Sequence, residues 1–314
     1  MPVRLRIVLF WNYNSVMATV RTLTRHEWQA ARDAYLTRVG SWAKDRVWRS
    51  ARQIKHPVYD FLFEYYSNKP GYLMRWTPGV GVQLVGMARE ELDWGSDYVP
   101  SDSGFELDAK TFPQHRYDYL DWAIRYLEST ANREPFYGCF GLHEWAMVYQ
   151  ESDVRHRRVP LRLTATQTND VVTDGVLRCS HYDAFRFFTP AAVPQNRVQL
   201  RREISTDHDQ PACVHVNMDL YKFAYKIAPF VSSEAVADAF ELAIAARELD
   251  MRASPYDLRE FGFAPVAIET REGREEYVTH QREIARRGVA VRAKVLGEYQ
   301  RLREAVQSKS TMQI

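Results

Sequence analysis

Apolar residues recur at helical spacing in five separate stretches, and this periodicity restricts the chain more than any other feature. From Thr24, placed to cap, Trp28, Ala31, Tyr35, Leu36, Val39 and Trp42 line one face among Arg, Lys and Asp, and the polar face runs on to about Arg52. Tyr117 to Leu127 repeats the pattern, and Pro211 opens a helix through about Ala228. Ser232 or Ser233 followed by Glu234 caps the Ala- and Leu-rich run Ala235 to Leu249. Arg274 to Val306 is long, charged and helical, with a break expected at Gly288, and Thr166 to Thr173 reads as a shorter helix ended by Gly175. Strand signals are few, the main one being Val80 to Val85. The acidic stretch Glu90 to Pro113, punctuated by Gly and Pro, reads as a surface loop, and Ala191 to Gln210 as a polar connection. Loops that long are usually functional or mobile. The expected class is mainly α: a single helical domain over 24–314 with a few short strands and long loops, preceded by an N-terminal extension over 1–23 for which no structure is expected.

Charge excludes one function class. Lys plus Arg is 42 and Asp plus Glu is 40, a net +2, without the footprint of a dedicated nucleic-acid-binding domain. Local positive charge gathers at Arg155, His156, Arg157 and Arg158, at Arg201 and Arg202, and along the C-terminal helix, without forming one track. The three cysteines, Cys139, Cys179 and Cys213, make no C-x-x-C pair, and an odd count does not build a disulfide framework. Ile7 to Trp11 is too short for a signal-peptide core, and no window approaches 18 consecutive apolar residues. A cytoplasmic protein with reduced thiols and no membrane partner is the expectation. The aromatic content, 18 Tyr, 15 Phe and 8 Trp, is high enough to demand either an aromatic core or an aromatic-walled cavity.

Four of the nine histidines sit in aromatic or apolar segments with a carboxylate close by in sequence. His56, Asp60 and Glu64 are spaced to share one helix face, as are His215 and Asp219. His143 precedes Glu144, and His181 lies two before Asp183. Imidazole with carboxylate is the ligand mixture for Fe, Mn or Zn, and a nearby carboxylate equally serves as the partner that orients a ligating His. Plainer roles stand beside these. His215, Asp219, Lys222 and Lys226 make a stripe that fits a solvated helix face, and His56 before Pro57 fits a capping group. Glu144 between apolar neighbours, and the set His181, Asp183 and Arg186 among rings, need internal partners if buried. His208, between Asp207 and Asp209, is held in reserve. Leu249 to Asp257 ends a helix with two acids, Arg252 and Tyr256, which suits a pocket edge or internal ion pairs.

Several standard arrangements are missing. Met147 stands where a second His would complete H-E-x-x-H, and no P-loop, G-x-G-x-x-G, G-x-S-x-G or deaminase signature occurs.

The segments His56 to Ser67, Gly141 to Met147, His181 to Pro190, His215 to Lys226 and Leu249 to Leu258 resemble an actinobacterial family whose members carry the label 3-methyladenine DNA glycosylase, over roughly residues 25–300. The resemblance implies excision of alkylated purines and assigns no residue a role. That chemistry needs an aromatic slot, a carboxylate near the sugar and a basic surface. Rings and acids are present, but no helix-hairpin-helix pattern is recognisable.

The leading expectation is an enzyme with a metal ion, iron, held among His56, His143, His181 and His215, with Glu144, Asp183 and Asp219 as catalytic carboxylates. Trp145, Phe185, Arg186, Tyr221, Arg252 and Tyr256 would then contact a small-molecule substrate undergoing oxidative chemistry. A metal-free DNA N-glycosylase acting on damaged DNA is the alternative, and a helical module binding haem or another ligand is the third reading. A homodimer is compatible with each.

Overall fold

The structure, a computed structural model, describes residues 20–151 and 159–308. The basic cluster at 155–158 and the segment up to Val16 lie outside these. The described residues are mainly α, as the periodicity requires. The five long helices are α1 (Arg25–Ala51), α4 (Tyr117–Ala131), α9 (Val214–Lys226), α10 (Ser233–Arg252) and α11 (Arg271–Ser308). Between them lie α2 (Phe61–Glu64), α3 (Pro70–Leu73), α5 (Leu142–Ala146), α6 (Ala165–Thr173), α7 (Tyr182–Phe185) and α8 (Ser205–His208).

Local chemistry sets the helix starts. Thr24 Oγ1 accepts from the Glu27 N–H at 3.4 Å and Glu27 Oε2 accepts from the Thr24 N–H at 2.8 Å, a reciprocal cap on α1. Ser232 caps α10, and Thr164 with Gln167 repeats the reciprocal cap on α6. The helix expected from Pro211 begins three residues later, at Val214. No break occurs at Gly288. α11 runs through it, and the missing side chain makes room for Asn217 of α9, whose Oδ1 would lie 1.9 Å from a Cβ at that point.

A small sheet flanks the helices in the order β1-β2-β4-β3, with β1 (Arg21–Leu23), β2 (Val82–Val85), β3 (Tyr98–Ser101) and β4 (Gly104–Leu107). β1 runs parallel to β2 with Arg21 opposite Val82; β4 is antiparallel to both β2 and β3, placing Leu84 opposite Phe105 and Tyr98 opposite Leu107. Two expectations are corrected. Residues 21–23 of the supposed extension are a strand, and the supposed loop over 90–113 holds a hairpin. Its strands Tyr98-Val99-Pro100-Ser101 and Gly104-Phe105-Glu106-Leu107 pair with each other, and the second also pairs with β2, a long-range contact that a reading of local composition misses. Trp28 Nε1 donates to Val85 O at 3.0 Å and its ring is fully buried, tying α1 to the sheet.

α9 packs along α10, and α11 packs across α4, α9 and α10. The alanines of α10 (Ala235, Ala237, Ala239, Ala243 and Ala246) are buried, so the backbones approach closely and α10 is covered on nearly every side. That burial decides the site. Arg247 and Asp250 on α10, like Asn217 and Asp219 on α9, are buried and must find partners inside.

Candidate active site

α5 is the shortest route to the centre: all five of its residues are buried. It is entered through Gly141, whose φ of 74° is the left-handed conformation and whose missing Cβ would meet Ala253 and Tyr277 at 3.2 and 3.3 Å. Trp145 anchors the helix, donating from Nε1 to Ala253 O at 2.8 Å. With Trp145 fixed, His143 and Glu144 are held against α9 and α10.

His143 Nε2 lies 2.6 Å from Asp250 Oδ1; the carboxylate only accepts, so the imidazole donates. The other oxygen of Asp250 accepts from Arg247 at 2.7 Å, and the same guanidinium nitrogen lies 3.2 Å from Glu144 Oε1. His215 Nε2 stands 3.8 Å from Asp250 Oδ2, and its ring meets that of His143 edge-on at 4.5 Å. One ligand atom from each of His143, Glu144, His215 and Asp250 falls within 4.8 Å of the others, a group that can hold a metal ion.

The shared burial separates the protonation states. Burial alone would lower the His143 pKa, but the Asp250 carboxylate outweighs it and raises it well above the usual value. Burial lowers His215 to about 3, with the neighbouring histidines and Arg247 adding to the effect against Asp250. Burial, then the charge of Asp250, raises Glu144. Burial works against ionisation of Asp250, yet His215, His143 and Arg247 together hold it far below the usual carboxylate range.

A second group adjoins the first, because the His181 ring stacks parallel to His215 at 5.5 Å. His181 Nδ1 donates to Asp209 Oδ1 at 2.9 Å, and Asp209 also accepts from Tyr126 OH at 2.7 Å. His181, Asp183 and Asp219 form the other set of ligand atoms within 4.8 Å. There the Lys222 ammonium is 2.6 Å from Asp219 Oδ2 and 3.8 Å from Asp183 Oδ2, already supplying a cation to both carboxylates. Burial opposes the charge on Asp219, but Lys222 and His181 lower its pKa. The stripe His215, Asp219, Lys222 and Lys226 is thus no solvated face: its first three members point into this network, and only Lys226 faces outward.

Glu144 and His215 form the floor of a cleft of about 700 Å³. Phe61 and Tyr65, stacked at 4.8 Å, wall it together with His56, Phe187 and Phe261, and Asp183 lies on its rim. The aromatic content therefore serves both ends, since many other rings are core, including Tyr126 stacked on Phe223 at 5.2 Å.

Of the expected ligands, the fold gathers His143, His215 and His181 but leaves His56 in the cleft wall. His56 precedes α2 in a turn rather than on a helix face: its Nδ1 accepts from the backbone N–H groups of Val58 and Tyr59, and Asp60 pairs with Arg49. Asp219 turns to Tyr66 and Lys222. Arg186 pairs with Asp183. Phe185 and Trp145 are buried in the main core, and Tyr221 is buried against Asn68. Tyr256 packs in a separate small cluster with Val58 and Met251, and Arg252 binds Glu276. Asp250 figured in the sequence only as part of a helix end. Arg247 is a further partner that sequence reasoning misses, although an Arg directly after the apolar run Leu242-Ala243-Ile244-Ala245-Ala246 is a readable signal. Asp209, beside His208, is the other partner missed. No helix among the described residues is long and apolar enough to cross a membrane.

Compared with protein-family models, curated proteins and solved structures, the chain has no match. The glycosylase resemblance rests on the sequence segments alone.

Proposed function

We propose that the chain is an enzyme acting on a small molecule in the aromatic cleft, with a metal ion bound at the floor by His143, Glu144, His215 and Asp250. One observation carries the reading: these four ligand atoms lie within 4.8 Å of one another, and two of the four side chains line the cleft. Two imidazoles with two carboxylates suit iron, manganese or zinc, and iron with oxidative chemistry is the finer form of the proposal. A metal there would supply Lewis acidity or oxygen activation next to the substrate. The protein's own share is to wall the substrate with Phe61, Tyr65 and Phe187, to exclude water from the floor, and to place the Arg247 cation beside any anionic group. The test is metal analysis of protein purified without a His tag, followed by titration with Fe²⁺ and Co²⁺. Stoichiometric metal that is lost in His215→Ala and Asp250→Asn supports the proposal. Absence of co-purified and added metal alike refutes it.

A specific observation favours a second, metal-free reading. Arg247 already contacts both carboxylates, while burial raises the Glu144 pKa and lowers that of His215. A carboxyl group whose protonated form burial favours, beside an imidazole that burial keeps neutral, suits proton transfer at a leaving group. In the N-glycosylase form, Glu144 or Asp183 serves as the carboxylate and a ring-walled slot takes the flipped base. Release of methylated purine from alkylated duplex with salt-sensitive binding supports it; absence of both in one assay series refutes it. An absorption spectrum through the Soret region tests the haem-binding reading in the same preparation.

A further inference from the structure

His215 has a second polar face. Its Nε2 is directed to Asp250, and ring geometry sends Nδ1 the other way, where it is buried without a hydrogen-bond partner. On that side His215 lines a chamber of about 10 Å³ together with Cys139, Cys179, Cys213, Tyr277 and Gln281. Tyr277 OH and Gln281 Oε1 are also buried and unpartnered. Among the described residues seven buried side-chain atoms lack a partner, and three of the seven belong to residues lining this one chamber. Tyr277 and Gln281 are four residues apart on α11 and so share a face. The amide of Gln281 is fixed in orientation, because its Nε2 donates to Ala212 O at 2.8 Å and leaves Oε1 as the inward acceptor.

We infer that one buried water occupies the chamber, shared by His215 Nδ1, Tyr277 OH and Gln281 Oε1, and that Tyr277 and Gln281 thereby act as positioning residues for His215. The hydrogen count closes. Asp250 Oδ2, 3.8 Å from Nε2, is beyond hydrogen-bond reach, but its negative charge favours the imidazole proton on Nε2, which leaves Nδ1 as an acceptor. The water donates one hydrogen to Nδ1 and one to Gln281 Oε1, and accepts the third bond from Tyr277 O–H. Three bonds is the usual number for a buried water, and the space equals about one water-sized sphere. The three thiols complete the wall as small, weakly polar groups. A thiolate metal site fits less well, since the three sulfurs do not form a group within ligand reach among the described residues. This arrangement fixes the tautomer and tilt of the imidazole that forms the cleft floor. It uses α11, an element that otherwise takes no part in the site.

This hydrogen count is that of the metal-free protein, because a metal on Nε2 would move the imidazole proton to Nδ1; chelator-dialysed full-length protein keeps the two questions apart. A crystal structure of that protein is expected to show one water within about 2.7–3.2 Å of all three atoms. Its ¹⁵N spectrum is expected to give a pyridine-type signal for His215 Nδ1. Tyr277→Phe and Gln281→Leu are each expected to lose the water and shift that signal. The inference is overturned if the wild-type structure shows the three atoms without a common water, if a metal ion lies in the chamber, or if Nδ1 is pyrrole-type. The wild-type measurements decide the matter even if a variant does not fold.

Discussion

His143 and Asp250 stand 107 residues apart in the chain and 2.6 Å apart in the protein. Neither reaches solvent; Asp250 joins His143 to Arg247, and Arg247 in turn donates to Glu144. One carboxylate from α10 thus neutralises two cations from two helices beneath the cleft.

Removing that carboxylate leaves both cations buried without it. Asp250→Asn is expected to cost about 3–5 kcal/mol, the usual result of breaking a buried charge pair from one side. Urea denaturation measures it. Asp183→Asn serves as the comparison, since Asp183 is partly exposed and its pairs with Arg186 and Lys222 are solvent-screened. Its loss should stay within about 1 kcal/mol. Equal losses in the two variants would contradict the buried network.

Stability of the metal-free protein should fall on both sides of neutral pH, for opposite reasons. The folded pKa of His143 is raised, so its contribution is complete below the unfolded value of about 6.5 and is lost as pH rises through the folded value. The folded pKa of His215 is lowered to about 3, so the unfolded chain binds the extra proton between the two values and stability falls as pH drops from about 6.5 toward 3. Denaturation across pH should therefore show His215→Asn flattening the acid limb and His143→Asn flattening the alkaline limb. The reverse assignment would show that the two environments have been exchanged.

A metal that binds only the folded chain should stabilise it by about 2.7 kcal/mol at one hundred times its Kd. Thermal melts with and without Fe²⁺ or Co²⁺ read this directly. The increment should vanish in Asp250→Asn and persist in Asp219→Asn, because Asp219 belongs to the group already served by Lys222. An increment lost in Asp219→Asn instead would move the metal to His181.

Gly288 and Gly297 lie on the same helix but should respond oppositely to alanine. At Gly288 a Cβ would sit 1.9 Å from Oδ1 of buried Asn217, which also donates to Pro211 O and Cys213 O. Gly288→Ala should lose about 1–3 kcal/mol by overpacking. Gly297 has nothing nearer than an Arg301 nitrogen at 3.9 Å, so Gly297→Ala should gain up to about 1 kcal/mol of helix propensity. Thermal melts of the two variants check the sign.

Legibility along the chain followed the range of the interaction. The Thr24 cap uses a residue three positions away, and the Ser232 cap likewise, so both are readable from neighbours. The β3–β4 hairpin was hidden because its stabilising partner, β2, lies outside the acidic stretch that contains it. His143 with Glu144 and His181 with Asp183 do fall in common groups, but the hydrogen-bond partner of each histidine is not its nearest carboxylate in sequence, for a geometric reason. Adjacent residues on a helix point about 100° apart, so His143 and Glu144 cannot face one another, and His143 takes its acid from another helix. On α9, His215 and Asp219 do share a face, but each turns to a partner that burial makes nearer: Asp250 for one, Tyr66 and Lys222 for the other.

The mainly α class, the long helices with most of their caps, and the crowding of polar groups into aromatic segments can all be read from the residues alone. All of these follow from periodicity and from contacts within a turn or two. Which charges meet, in which direction each histidine pKa is moved and which rings wall a cleft rather than fill the core emerge only from the packing of distant segments. Those outcomes depend on α10 being enclosed by its neighbours: once water is excluded on nearly every side, Arg247 and Asp250 must be neutralised by whatever the packing brings within reach, and chain distance no longer matters.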